Sequence, residues 1–203
     1  MLRFMRRAAA ALYYYVLGHI VAWCSRYQAK YRHGRWFTGR CGGVNAPGWR
    51  WIVKDFFNCR RLDVNTDIPW PVSARQTVLH PENITFDPDD LNNFQSPGCY
   101  IQAIGPIAIG RGTYIAPNVG LITSNHNLAN PDEHAPPQPI ILGEQCWIGM
   151  NSMILPGVEL GPHTVVGAGA VVTKSFPEGF CVIAGNPARL IKKVNNSDNR
   201  EEK

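Results

Sequence analysis

The sequence predicts a mainly β protein, a parallel β-helix of hexapeptide repeats standing behind a partly helical N-terminal segment. Three observations carry that prediction. Large aliphatic residues recur every six positions at Leu142, Ile148, Ile154, Leu160, Val166 and Val172, and in the same rhythm at Ile109, Ile115 and Leu121. Between the two series the rhythm stops for a polar, proline-rich stretch, residues 124–139, that carries two histidines. Ahead of both lies a basic first third with an uncharged run at 8–24.

A chain of 203 residues suffices for one good-sized domain and a small appendage. Residues 1–75 are expected to form the basic N-terminal segment, 76–194 the repeat domain with 124–139 extruded from it, and 195–203 a flexible tail. Residues 1–61 hold twelve Lys and Arg against the single acid Asp55, a balance of +11, whereas 62–203 carry −6. The six cysteines (24, 41, 59, 99, 146, 181) include no C-x-x-C pair. That argues against a zinc ribbon or redox motif and for reduced thiols, with Cys146 and Cys181 as small core residues.

The run at 8–24 is at the short end of the ~17–25 residues that span a bilayer. Tyr13, Tyr14, Tyr15 and Trp23 are residue types that favour the water–lipid boundary. No small-x-small site follows, which argues against a cleaved signal peptide. The expectation is a helix on an anionic membrane surface, with residues 1–61 holding a cytoplasmic protein to the inner face of the membrane. A helix packed on the body or on a sister subunit stays open beside it. The stretch "GRCGGVNAPG", 39–48, lacks the G-K-[ST] of a phosphate loop and reads as a plain turn. No nucleic-acid motif accompanies the charge, so no nucleic-acid partner is expected.

Written in sixes, residues 142–177 read LGEQCW, IGMNSM, ILPGVE, LGPHTV, VGAGAV, VTKSFP. The first place is aliphatic, glycine is frequent at the second, and the fifth is mostly small or short (Cys, Ser, Val, Thr, Ala). An ordinary strand alternates with period two and a helix with 3.6, so neither explains one large aliphatic per six. A parallel β-helix does: each six residues make one flat face and a corner, with the aliphatic pointing inward. Gly, Asn and Pro serve the corners, where positive φ or tight packing is wanted.

The stretches "GTYIAPNVGLITSNH", "CWIGMNSMILPGVELGPHTVVGAGAVVTK" and "AGNPARLIKK" resemble the hexapeptide-repeat acyltransferases, over about residues 80 to 194. Within that family they look like a coenzyme-A-dependent O-acetyltransferase of the kind that modifies sugars and polysaccharide precursors. The resemblance implies a left-handed β-helix, a homotrimer with its sites in the grooves between neighbours, and a short closing C-terminal helix after Asn186-Pro187. It also implies that 124–139 is the long loop that reaches across that groove. Loops of more than about 12–15 residues in a compact domain are usually functional.

By the same resemblance His126 is the general base, which takes the proton from the attacking hydroxyl and contributes a factor of ~10²–10⁴. His134 and Glu133 are expected to orient the acceptor or meet a neighbouring subunit, with Asn125 and Asn127 beside the base. The family often places an acid after its histidine, where this chain has Asn127, so Glu133 or a residue from elsewhere would have to supply any orienting charge. The N–H of Met150 is the candidate oxyanion donor, and Trp147 resembles the indole that covers the active-site end of the groove. Ala168 and then Thr173 and Lys174 match positions along the pantetheine arm of acetyl-CoA, while Arg189 and Lys192 match basic positions that meet its phosphates. The segment 80–100 is acidic and amide-rich, and Asp89, Asp90, Asn92 and Asn93 read either as sugar-binding groups or as a cap on the first coil.

Three rivals stand beside this reading. A zinc enzyme on the same fold needs a histidine one coil before the loop, and none occurs between His80 and His126, so no metal is expected. A non-catalytic β-helix scaffold docked at a membrane would have no use for His126. An acetyltransferase for a non-sugar acceptor (serine, a xenobiotic or an amino sugar) would share every residue named.

Overall fold

The computed structural model describes residues 2–38 and 43–194. The expected tail at 195–203 and positions 39–42 of the expected turn lie outside the described residues. The chain divides into two compact units, one of residues 1–76 with 88–95, the other of 77–87 with 96–203.

The larger unit is a stack of coils whose strands build three parallel sheets. The first coil supplies β1 (Thr77–Leu79) and β2 (Ile84–Phe86); the second β3 (Tyr100–Gln102), β4 (Ile107–Ile109) and β5 (Tyr114–Ile115). The third coil supplies β6 (Gly120–Ile122), β7 (Ile140–Leu142) and β8 (Trp147–Ile148); the fourth β9 (Met153–Ile154), β10 (Glu159–Leu160) and β11 (Thr164–Val166). The last holds β12 (Val171–Val172) and β13 (Cys181–Ala184), with Phe176 bridging to Leu160 between them. Sheet A runs β1-β3-β6-β9-β12, sheet B β2-β4-β7-β10, and sheet C β5-β8-β11-β13.

The six-residue rhythm is the inside of this stack. Leu121 pairs with Ile154 and Ile154 with Val172 on sheet A; Ile109, Leu142 and Leu160 align on B; Ile115, Ile148 and Val166 align on C. All nine are buried, and each such side chain contributes roughly 1.5–3 kcal/mol on leaving water. Cys146, Ser152, Val158, Thr164 and Ala170, at the fifth places, are buried too. Among them Ser152 and Thr164 donate their hydroxyls, each at 2.7 Å, to the carbonyls of Gly149 and Gly161 three residues back. Buried corner carbonyls are thereby satisfied from within the same six.

Glycine recurs at the second place because successive corners stack backbone on backbone. A Cβ on Gly143 would lie 2.6 Å from the carbonyl carbon of Gly161. Gly110 meets Gly143 in the same way one coil earlier. Asn118, Asn151, Gly157 and Gly169 take the expected positive φ, and Gln145 and His163 take it as well.

The C-terminal end departs from expectation. Arg189–Lys193 is not a helix but a strand, β14, paired antiparallel to β13. The last coil leaves the outer edge of β13 with unmatched N–H and C=O groups, and a chain turning back at Gly185 (φ 99°) satisfies them.

In the smaller unit, α1 (Leu2–Cys24) and α2 (Pro47–Leu62) pack through aromatic rings on a glycine. A Cβ at Gly18 would touch the Trp49 ring, on which His19 stacks with centroids 4.0 Å apart. Gly43–Asn45 is a short 3₁₀ turn leading to Pro47 at the start of α2. Ile52, Ile68, Trp70, Leu91 and Phe94 form the core. Among the described residues no helix is long and apolar enough to cross a membrane.

Candidate functional site

The interruption at 124–139 is a small, self-bonded arch. It leaves the stack after β6 on sheet A and returns at β7 on sheet B, so it replaces the corner between those sheets. Its base is pinned by Ser124 Oγ donating to Ala135 O and Gln138 N–H to Thr123 O, both at 2.8 Å. Above that, Ala135 N–H donates to Asn125 O and Asn127 N–H to Glu133 O, again at 2.8 Å, with His126 and His134 in antiparallel register between them. The two predicted histidines therefore stand side by side, ring centroids 4.6 Å apart.

His126 is exposed, and its Nδ1 lies 2.7 Å from the carbonyl oxygen of Pro131. A carbonyl oxygen accepts only, so Nδ1 carries the proton and Nε2 keeps the basic lone pair. Glu133 does not orient the ring: its carboxylate accepts from Asn127 Nδ2 at 3.4 Å. Asn127 Oδ1 in turn accepts from Ala129 N–H at 2.9 Å. The amide at 127 thus holds the arch with both ends, donating to one partner and accepting from another. An ionised aspartate lacks the donor.

A second group of predicted residues gathers at the corner between sheets C and A. Met150 and Ala168 occupy that corner in successive coils, and the Gly169 N–H donates to Met150 O at 2.8 Å. Trp147, 59 % exposed, projects from sheet C just before it. Thr173 and Lys174 follow β12 on the far side of the corner.

Along sheet C the register aligns Tyr114, Trp147, Val165, Val182 and Lys192 in one row. Strands lie about 4.8 Å apart, so Lys192 is roughly 14 Å from Trp147 along the stack. Arg189 opens the same last strand. Tyr114 was not singled out from sequence. It shares with Trp147 the sixth place of its hexad, and the two rings flank an open cleft of about 660 Å³. That shared place was the available signal.

Asn93 and its neighbours belong to the smaller unit. Asp89 accepts from the Arg35 N–H and Asp90 pairs with the Arg35 guanidinium at 3.6 Å, while Asn93 is buried and its carbonyl accepts from Gln76. These groups serve the packing of residues 88–95, and Asn93 presents no open surface to an acceptor.

A family model for bacterial transferase hexapeptide repeats (six repeats) matches residues 139–174. A Staphylococcus aureus (strain Mu50) protein with the provisional name of an acetyltransferase is 36% identical over 148 residues, 71% of this chain and 69% of that protein. The galactoside O-acetyltransferase of Escherichia coli (strain K12) is 38% identical over 97 residues, 45% of this chain and 46% of that one. Among solved structures, a maltose O-acetyltransferase from Clostridium difficile 630 matches with a TM-score of 0.46 at 36% identity, over 48% of this chain and 54% of that one. The chain spans about half the length of the leading curated relatives it matches.

Proposed function

Because this chain belongs to the hexapeptide-repeat transferase family, we propose that it is an acetyl-CoA-dependent O-acetyltransferase for a sugar or polysaccharide-precursor hydroxyl. The observation that carries this reading is the His126–Pro131 hydrogen bond, which leaves Nε2 as an exposed base on the extruded arch. Acetyl-CoA would supply the acetyl group as an activated thioester. His126 Nε2 takes the proton of the acceptor hydroxyl as its oxygen bonds the acetyl carbon. The resulting imidazolium, still donating from Nδ1 to Pro131, returns that proton to the sulfur as the C–S bond breaks. The Met150 N–H is the donor for the developing oxyanion.

The row on sheet C fits an elongated, phosphate-bearing co-substrate. Tyr114 and Trp147 form an aromatic wall at one end, and Lys192 with Arg189 offers positive charge at the other. Ala168 sits at the C–A corner itself, and Thr173 and Lys174 follow β12 beyond it.

The two groups occupy different corners of one chain, His126 at the A–B corner and Met150 with Ala168 at the C–A corner. We infer a homotrimer in which the arch of one protomer faces the C–A corner of the next. Co-expression of His126→Ala with Ala168→Trp tests this: mixed trimers regain activity that neither variant has alone. A monomer by light scattering, or no recovery, overturns it. Thiol release from acetyl-CoA across sugars, lipid-linked saccharides, serine and amino sugars tests the acceptor. Release with no sugar acceptor refutes the O-acetylation of saccharides.

We further infer that the smaller unit docks on an anionic membrane, at the cytoplasmic face where lipid-linked saccharides are built. Met5, Leu12, Tyr13, Val16, Ile20 and Trp23 are exposed along one face of α1, opposite the face on α2. The +11 balance of residues 1–61 supplies the charge complement. Sedimentation with anionic vesicles, weakened by salt and lost with Leu12→Ser/Val16→Ser/Ile20→Ser, is expected. Self-association through that face in place of vesicle binding overturns it.

A further inference from the structure

We propose that the cleft between the first turns of α1 and the start of α2 binds the phosphomonoester headgroup of an anionic lipid, one lipid per cleft, a site that rests on the docking reading above. The cleft measures about 450 Å³, and Arg6, Arg7 and Tyr14 of α1 face Arg50 of α2 across it. The Arg50 guanidinium lies 5.4 Å from the centre of the Tyr14 ring, a cation–π contact that fixes its direction. Among the described residues no acid pairs with Arg6, Arg7 or Arg50. The lone acid of residues 1–61, Asp55, is 6% exposed.

Three guanidiniums from two helices share one cavity without a counter-charge. A phosphate monoester matches them with up to two negative charges and three acceptor oxygens, each able to take paired N–H donors. A diester headgroup offers one charge and two such oxygens. The position suits a lipid better than a dissolved anion. At 3.6 residues per turn, Arg6 and Ala10 fall on the flank of the exposed apolar face of α1. With that face sunk at the acyl boundary, the flank lies at headgroup depth.

The test compares full-length protein on vesicles containing phosphatidic acid with vesicles containing phosphatidylglycerol at matched surface charge. Binding is expected to be roughly tenfold tighter to phosphatidic acid, the effect of one charged hydrogen-bonding group. Arg50→Ala and Arg7→Ala should each remove the preference. Arg3→Ala removes the same charge outside the cleft and should keep it. Equal binding to both lipids, or loss of the preference in Arg3→Ala as well, overturns the site while leaving membrane docking in place. No binding to either vesicle removes docking and the site together. Inorganic phosphate titrated without vesicles is the third arm: Arg50-dependent binding tighter than that of the vesicle phosphate would make this a free-anion site and overturn the lipid assignment.

Discussion

His126 is held by the backbone of Pro131, Nδ1 to carbonyl oxygen at 2.7 Å, five residues further along the same arch. That bond sets the tautomer of the ring without a carboxylate. It gives orientation but little of the charge stabilisation that an aspartate would lend to an imidazolium. The arch closes this bond within itself, so the ring is oriented before any partner arrives.

His126→Ala is expected to leave folding and coenzyme A binding intact and to lower kcat by roughly 10²–10⁴. His134→Ala, beside it in the bridge, should cost less. Steady-state rates for both variants decide the matter, and a larger loss at His134 would reassign the base.

Asn127→Asp replaces the amide donor to Glu133 with a second carboxylate 3.4 Å away. Two like charges there should loosen the arch, so kcat falls below wild type near neutral pH, and the ratio to wild type recovers as one carboxylate is protonated at lower pH. Adding Glu133→Gln should restore activity at neutral pH. Activity of the single variant equal to wild type at all pH values would refute this use of Asn127.

Gly143→Ala should destabilise by about 1–3 kcal/mol, the usual cost of overpacking, because the new Cβ meets the Gly161 backbone. Ile148→Ala, which empties a fully buried site, should cost about 2–5 kcal/mol. Denaturant unfolding measures both. A neutral Gly143→Ala would mean that the corners stack less tightly than described.

Burial pushes the Asp55 carboxyl up to about 7, against the Gln95 amide that donates to it at 2.8 Å and the nearby Arg75 and Lys54 charges. An unfolded aspartate titrates near ~3.9. Between about pH 4 and pH 7 the folded chain keeps a proton that the unfolded chain has released, so this residue makes stability fall as pH rises through that window. The loss approaches about 4 kcal/mol at its upper limit. Asp55→Asn keeps an acceptor for Gln95 and should abolish that fall, gaining stability at pH 8 relative to wild type but not at pH 4. Parallel pH profiles for the two proteins would contradict it.

The sequence by itself determined the stack. One aliphatic every six residues puts Ile148 and its eight counterparts inside, and the same count places Gly143 and Gly161 at corners, because a repeat of this length closes one flat face each time. It also marked 124–139 as an extrusion, since a polar run breaks the inward column. The hand of the coil came only with the family, as spacing is the same in either mirror form. Tertiary structure decided what spacing cannot express. The helix expected after Pro187 became β14 because the last coil left an edge to pair. Asn93 went into the smaller unit because residues 88–95 pack there. His126 found its orienting partner in a backbone carbonyl, which carries no signature in sequence, and not in Glu133. His126 and Met150 stand at different corners for a topological reason: the order in which the coil visits its three sheets separates residues that twenty-odd positions of sequence leave indistinguishable.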